Sequence, residues 1–513
     1  MVSAGDPHVV SAALAALASG GTVVDAALTA SAVASVIEFP WCGVGGDAFL
    51  LIHTPADGVV ALNGSGSTPL AATAGAFPDG KVPRFGALSV AVPGIAGAWE
   101  ETARRFASRP LCALLEPAID LAREGFAVYP RLAHALAQLR RSECSPALAD
   151  LLAGNGSQVG DGFRLPGLAG TLQQIAEQGA AALRRGPLAR AITAALSARG
   201  GVLGADDLAE HTTSWARPLA VPYRGRTIYE SPPVSLGCVL LQELRIAEGF
   251  DLGRYRPGDA ALIDLLVRCK LAAFADADPV LGDPAFVDVP IEDLLSDRRA
   301  AAWHARIRAE LPRGPDATEA GGDTTSLVVA DRAGNVAVVI QSLFNEFGSR
   351  ELVPGTGILL NDRLANLVVD DGQPNGVKPG KRPLHTLNAY IAIDHGEVVL
   401  AGATPGGRGQ VQTNLQVLVN VFDLGLSLQP AVDAPRWVSG LPYRGPGDRT
   451  LYLEDGFASG TAEALDARGH TTVVLTDAER EPFGSCTVIS RDRLTGALIG
   501  AADHRRGAVA AGF

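Results

Sequence analysis

The junction Gly322-Asp323-Thr324-Thr325-Ser326 sets a threonine at the head of an apolar stretch. A threonine hydroxyl is a weak nucleophile, because its pKa lies far above neutral. If the bond between Asp323 and Thr324 broke, Thr324 would become a chain start. Its own α-amine, which titrates near about pH 8, could then take the hydroxyl proton. One residue would supply both nucleophile and base, with no distant histidine required. That chemistry cleaves amides through an acyl-threonine. Taken locally, the same residues also read as an ordinary threonine-rich strand start.

The elements that must position Thr324 can be read on either side of it. Residues 311–323 are crowded with Pro, Gly and Asp and predict an exposed loop. Thr324 to Ala330 reads as a strand, Asp331 to Asn335 as a turn, and Val336 to Leu343 as the returning strand. Upstream, residues 9–19 and 22–37 predict two Ala-rich helices separated by Gly20-Gly21. A glycine turn from Cys42 to Gly46 and an apolar strand from Ala48 to His53 follow. Leu88 to Glu101 reads as strand, turn at Pro93-Gly94, then helix. Residues 110–200 read as mainly helical, Tyr223 to Ser231 as one strand, and a further helical block extends to about residue 310. Gln412 to Phe422 is the clear late helix. Strands in a central stack with helices outside them indicate a layered α/β fold.

The segment Gly322-Asp-Thr-Thr-Ser-Leu-Val-Val-Ala-Asp-Arg-Ala-Gly-Asn335 resembles the processing segment of the γ-glutamyltranspeptidase family of N-terminal-nucleophile hydrolases. Other blocks resemble that family in the same order. They include Gly45-Gly-Asp-Ala-Phe49, Ser89-Val-Ala-Val-Pro-Gly94, Tyr223 to Pro233, Val353 to Asn361, Pro379 to Leu384, Pro405-Gly-Gly407 and Ala431 to Arg436. The resemblance implies a four-layer αββα sandwich built from two autocleavage products, residues 1–323 and 324–513, which stay associated. A homodimer of such pairs is an open alternative. It also implies roles: Asp323 and Thr324 flank the cleavage site, Thr324 attacks, and Ser342 is the second hydroxyl that bonds the nucleophile. Gly406 and Gly407 aim backbone N–H groups at the oxyanion, a term worth about a few kcal/mol per donor.

Departures from the family pattern bear on the substrate. Leu62 to Pro69 lacks the arginine that grips a γ-glutamyl α-carboxylate, and Ala365-Asn366 stands where the family has its acidic pair. His385-Thr386 replaces a serine pair, and Phe344 replaces an asparagine, with Asn345 adjacent. Without both zwitterion clamps, free γ-glutamyl groups fit poorly. The variant signature is similar to the transpeptidase-like branch that includes oxamate amidohydrolases. Relatives in alkylproline antibiotic pathways cut a carbon–carbon bond beside an oxalyl group. His385, Thr386, Asn366, Asn345 and Arg408 are the substrate-binding candidates, with Arg363 a further carboxylate partner. Hydrolysis of an amide or 2-oxoacyl bond is the leading expectation. Carbon–carbon cleavage with oxalate release, acyl transfer to an amine, and an unprocessed non-catalytic relative are the alternatives.

Composition narrows the field. The chain has 513 residues, 47% hydrophobic, and a formal net charge of −12 with no basic stripe, which argues against nucleic-acid binding. Six cysteines lack metal or disulfide spacing and read as free thiols. No metal and no organic cofactor are expected, because His and Cys are scattered and the glycine runs lack a phosphate-loop context. The apolar N-terminal stretch is broken too early to span a membrane, so a cytoplasmic protein is expected.

Overall fold

The computed structural model describes residues 1–309, 323–370, 372–440, 448–476 and 479–513. Two sheets are stacked face to face. The first runs, in spatial order, Val509–Ala511, Val2–Ala4, Asp323–Ala330, Val336–Phe344, Asp47–Thr54, Gly58–Gly64 and Ser214–Ala216. The second runs Leu498–Ala502, Thr487–Arg491, Glu397–Ala403, Ala389–Asp394, Arg226–Glu230 and Leu219–Tyr223.

Alternation along the strands creates two cores. Leu327, Val329, Ala337, Val339, Leu50 and Ile52 face the helices Pro7–Ala18 and Val23–Ile37. Val328, Ala330, Val338, Ile340, Phe49 and Leu51 face the second sheet, whose other side carries the helices Gly237–Ala247, Ala260–Ala277 and Gly409–Phe422. A period of two splits each strand between these layers, and both faces are apolar because both are covered. The result is helix, sheet, sheet, helix, the αββα layering that the sequence resemblance implies.

Local signals set the element ends. Thr22 and Asp25 form a reciprocal capping box at the head of Val23–Ile37, with Asp25 N–H to Thr22 Oγ1 at 3.1 Å and Thr22 N–H to Asp25 Oδ2 at 2.7 Å. Such a cap contributes about 1 kcal/mol.

Two sequence expectations are corrected. The segment before Pro93 forms no sheet strand: a single 3-10 turn, Ala87–Ser89, precedes extended backbone. The Asn361 side chain bonds both the N–H and the C=O of Ala91 at 3.0 Å, replacing the ladder partners a strand would need. Tyr223 to Ser231 is a hairpin rather than one strand. Arg224 and Gly225 both take positive φ, 50° and 76°, and turn Leu219–Tyr223 back into Arg226–Glu230. The expected loop 311–322 lies outside the described residues. All six cysteines are free thiols, and four are buried. Among the described residues, no helix is long and apolar enough to cross a membrane.

Candidate active site

Thr324 is the second residue of the inner strand Asp323–Ala330 and is only 1% exposed. The hairpin ladder runs regularly to Thr325–Gln341, then slips and resumes at Asp323–Phe344. Ser342 and Leu343 therefore stand opposite the single residue Thr324, a β-bulge that re-aims side chains at a strand end. The bulge ends at Phe344, which takes φ 88°, a left-handed conformation that costs a bulky residue energy.

The bulge sets the Ser342 hydroxyl on the junction. Ser342 Oγ donates to the carbonyl oxygen of Asp323 at 2.6 Å and accepts from Phe344 N–H at 2.7 Å. The carbonyl of the Asp323–Thr324 bond is thus polarised by a hydroxyl aimed at its oxygen. Gly46 lets the neighbouring strand come this close, since a Cβ there would lie 2.4 Å from the Ser342 carbonyl oxygen.

On the other side of Thr324 stands the head of helix Gly409–Phe422. Gln410 Nε2 reaches the Thr324 hydroxyl at 3.5 Å, and the Gln410 side-chain oxygen is held by Asn388 at 3.3 Å. Gly406 and Gly407 lead into this helix with φ 131° and 57°. Neither of their N–H groups has a hydrogen-bond partner among the described residues. Free N–H groups before a helix N-terminus favour negative charge. Gly406, Gly407 and Asp323 share a cavity of about 690 Å³.

The Asp323 carboxylate faces that cavity and is held by two cations. Arg506 Nη1 lies 2.6 Å and Arg131 Nη2 3.3 Å from Oδ1, while Thr324 N–H donates to the same oxygen at 2.9 Å. Glu481 pairs with both arginines, at 3.3 Å to Arg131 and 3.0 Å to Arg506. The Arg131 guanidinium also stacks on Trp41, 3.6 Å from the ring centre. Arg84, Arg350 and Asn345 line the same cavity. Burial pushes the Glu346 carboxyl on this wall up to about 7, and nearby Asp323 adds to the rise.

A second, enclosed cluster adjoins Ser342. Asp47 is the cross-strand partner of Ser342, so the two side chains share a face of the sheet. Asp47 Oδ2 accepts from Arg363 Nε at 3.2 Å and lies 3.9 Å from His385 Nε2. All three residues are 0% exposed. Arg363 Nη1 and Nη2 and both ring nitrogens of His385 have no hydrogen-bond partner among the described residues. Burial, reinforced by Arg363 and Arg382, holds His385 well below its usual pKa and therefore neutral. Burial pushes the Asp47 carboxyl up, and Arg363 opposes that shift. Phe344 packs on the Arg363 guanidinium at 4.5 Å.

The remaining sequence candidates divide. Thr386 is buried next to His385, and Asn366 donates to the Leu384 carbonyl at 2.7 Å, beside the same segment. Asn345 is committed to Asp362, with its N–H at 3.0 Å from Oδ1, and meets Arg84 at 3.4 Å. Arg408 is not brought to the site: it pairs with Asp278 at 2.5 Å and stacks on Phe274. Gln410, Arg131 and Arg506 were not singled out in the sequence. Gln410 had one usable signal, the amide-rich run Gln410, Gln412, Asn414 and Gln416 on a helix the apolar spacing buries. Among the described residues, no group of three His, Cys, Asp or Glu could hold a metal ion.

Comparison with known proteins finds relatives along nearly the whole chain. The family model for gamma-glutamyltranspeptidase matches residues 10–513. A glutathione hydrolase-like proenzyme of Bacillus subtilis is 34% identical over 504 residues, covering 97% of this chain and 95% of that one. The oxamate amidohydrolase proenzyme of Klebsiella pneumoniae is 32% identical, over 98% of this chain and 96% of that protein. The crystal structure of cephalosporin acylase from Bacillus halodurans matches with TM-score 0.91 at 33% identity, over 99% of this chain and 94% of that chain. With this fold and these matches, the chain belongs to the gamma-glutamyltranspeptidase family and is a hydrolase of the N-terminal-nucleophile type.

Proposed function

We propose that the chain cuts itself between Asp323 and Thr324 and then uses Thr324 to hydrolyse a small amide or 2-oxoacyl compound. The observation that carries this reading is the 2.6 Å bond from Ser342 Oγ to the Asp323 carbonyl oxygen, with the Thr324 hydroxyl on the next residue. Thr324 Oγ adds to the Asp323 carbonyl carbon while Ser342 stabilises the developing oxyanion. The C–N bond breaks, the hydroxyl proton passes to the nitrogen, and an ester joins Asp323 to Thr324 Oγ. Water hydrolyses the ester, leaving a carboxylate on Asp323 and a free amine and hydroxyl on Thr324. Residues 1–323 and 324–513 are then separate chains in one fold. Both the Bacillus subtilis and the Klebsiella pneumoniae relatives are named as proenzymes, which supports self-processing.

In turnover, the Thr324 amine takes the hydroxyl proton as Oγ attacks the substrate carbonyl. Gly406 and Gly407 N–H groups, unpartnered beforehand, bind the oxyanion. The protonated amine returns its proton to the leaving nitrogen, and water releases the acyl group. The orphan donors of Arg363 and the neutral His385 suit an acyl group ending in a carboxylate next to a carbonyl. A planar guanidinium pairs with carboxylate oxygens, and a neutral imidazole N–H can bond the adjacent oxo oxygen. Thr386 and Asn366 would border this acyl end.

A denaturing gel and intact mass of the purified protein test processing: two pieces ending at Asp323 and starting at Thr324 are expected, and one piece from Thr324→Ala. An active protein that remains a single chain overturns the reading. Mass spectrometry of incubations with oxamate, glutathione and longer 2-oxoacyl amides then tests the substrate class. Turnover of glutathione but not of the oxalyl compounds would exclude the 2-oxoacyl assignment, and product release without an added amine separates hydrolysis from transfer.

A further inference from the structure

We infer that Arg131 and Arg506 form a carboxylate subsite that Asp323 fills before cleavage and that afterwards receives a carboxylate on the leaving amine of the substrate. The inference rests on the self-cleavage proposed above, because Asp323 must become a chain end before it can be displaced.

The site is already built around a carboxylate. Arg131 Nη2 and Arg506 Nη1 converge on one oxygen, Asp323 Oδ1, at 3.3 and 2.6 Å, and Arg131 adds 3.1 Å to Oδ2. Neither cation depends on Asp323 for its position. Glu481 pairs with both, the Glu481 backbone oxygen accepts from Arg506 at 2.5 Å, and Trp41 fixes the Arg131 plane by stacking. Donors held in place before the ligand arrives lose little entropy on binding it. The Arg506 side chain is 5% exposed and that of Arg131 16%, so the pair works largely out of bulk water, where its attraction for an anion is less screened.

Cleavage changes the balance. Four arginines (84, 131, 350 and 506) line the cavity with four carboxyl groups (Asp323, Glu346, Glu479 and Glu481). Once the Asp323–Thr324 bond is cut, Asp323 is a chain end that carries an α-carboxylate besides its side chain and is no longer tethered to the strand. With both displaced, four arginines face three carboxyl groups and the wall is net positive. The vacated place adjoins the reacting centre, since the Asp323 carboxylate now accepts from the Thr324 nitrogen at 2.9 Å.

Location identifies the substrate's end. The acyl carboxylate is assigned above to the enclosed Arg363–His385 cluster, which does not line this cavity. The open volume, about 690 Å³, is shared by Gly406, Gly407 and the arginine pair, and it exceeds what ammonia or methylamine would need as a leaving group. The chemistry that fits is an acylated amino acid or a similar amide whose amine portion bears a carboxylate.

The probes are the N-acetyl α-methylamide of aspartate, a one-carboxylate copy of Asp323, and its uncharged asparagine counterpart. Their affinities are measured by calorimetry or ligand-observed NMR on wild type, uncleaved Thr324→Ala and cleaved Arg506→Gln, each checked on a denaturing gel. Processed wild type should favour the acid about tenfold, as expected for one charge-assisted contact set. That preference should vanish in Thr324→Ala, where Asp323 is still tethered, and in Arg506→Gln. Equal affinities on processed wild type overturn the subsite and leave the proposed function standing. So does a preference that survives in Arg506→Gln, or in Arg131→Gln should the first variant not be cleaved. Wild type that is never cleaved overturns both.

Discussion

Two arginine clusters flank the candidate nucleophile, and their electrostatics are opposite. In the open cavity, Arg131 and Arg506 each meet two carboxylates, Asp323 and Glu481. In the enclosed cluster, Asp47 is the one carboxylate that ion-pairs with Arg363 and His385 among the described residues, and four of their nitrogens have no hydrogen-bond partner there. A buried unmade hydrogen bond costs about 1–3 kcal/mol, so a fully enclosed guanidinium with two idle nitrogens is expensive for folding alone. Cations already clasping carboxylates have a partner to exchange, whereas a guanidinium with two idle terminal nitrogens is poised to accept one. That difference is the reason the function proposed above gives the acyl carboxylate to the enclosed cluster.

The largest expected effect comes from breaking the enclosed cluster. Arg363→Gln should lower kcat/KM for a 2-oxoacyl substrate by about 10²-fold or more, as removal of a buried charged contact commonly costs 2–5 kcal/mol. Urea denaturation should also show lost stability, on the order of 3 kcal/mol, because Asp47 is left buried without its cation. Arg408→Gln is the matched control: its partner Asp278 is partly exposed, so both measurements should move by less than about 1 kcal/mol. An unchanged kcat/KM in Arg363→Gln would cancel the contrast between the clusters.

Next in size is Ser342, which links the two regions by facing the Asp323 carbonyl and standing opposite Asp47. Ser342→Ala should slow appearance of the two pieces by about 10²-fold, the usual loss for one oxyanion donor, while Ser342→Thr keeps the hydroxyl and the rate. Cleavage of the alanine variant at the wild-type rate, followed by intact mass, would remove Ser342 from the reaction.

The smallest effect sharpens the description of the open side. Glu38 is 3% exposed, and burial raises its carboxyl from the ordinary 4.5 to about 7; Thr325 and Arg131 oppose that rise, and Asp6 and Asp323 add to it. The folded state therefore prefers the protonated acid. Its stabilising contribution is complete below 4.5 and is lost as pH climbs through about 7. Unfolding free energy should fall by a few kcal/mol at most between about pH 5 and about pH 8. Glu38→Gln should flatten that slope; a slope unchanged in the variant would assign it to other groups.

The legible parts of the molecule were those written in local pattern. The hairpin around Asp331 to Asn335, the two Ala-rich helices and the glycine pair before Gly409 follow from apolar spacing and turn residues within a few positions. The strand expected before Pro93, which does not form, shows the limit, since Asn361, 270 residues away, satisfies the Ala91 backbone. Gln410 shows it again: an amide on an apolar helix is visible, but its approach to Thr324 depends on how the two sheets stack.

Residue type and short-range spacing by themselves pointed to the layered α/β class, and the family resemblance carried by short motifs supplied the expectation of Thr324 as nucleophile, Ser342 as second hydroxyl and Gly406-Gly407 as the oxyanion turn. Tertiary structure alone decided which arginines matter. Arg363, Arg408, Arg131 and Arg506 look alike in the chain, yet one is enclosed with idle donors, one is neutralised by Asp278, and two clasp Asp323. Charge interactions depend on distance and on exclusion of water, and both are fixed only when segments hundreds of residues apart are packed together.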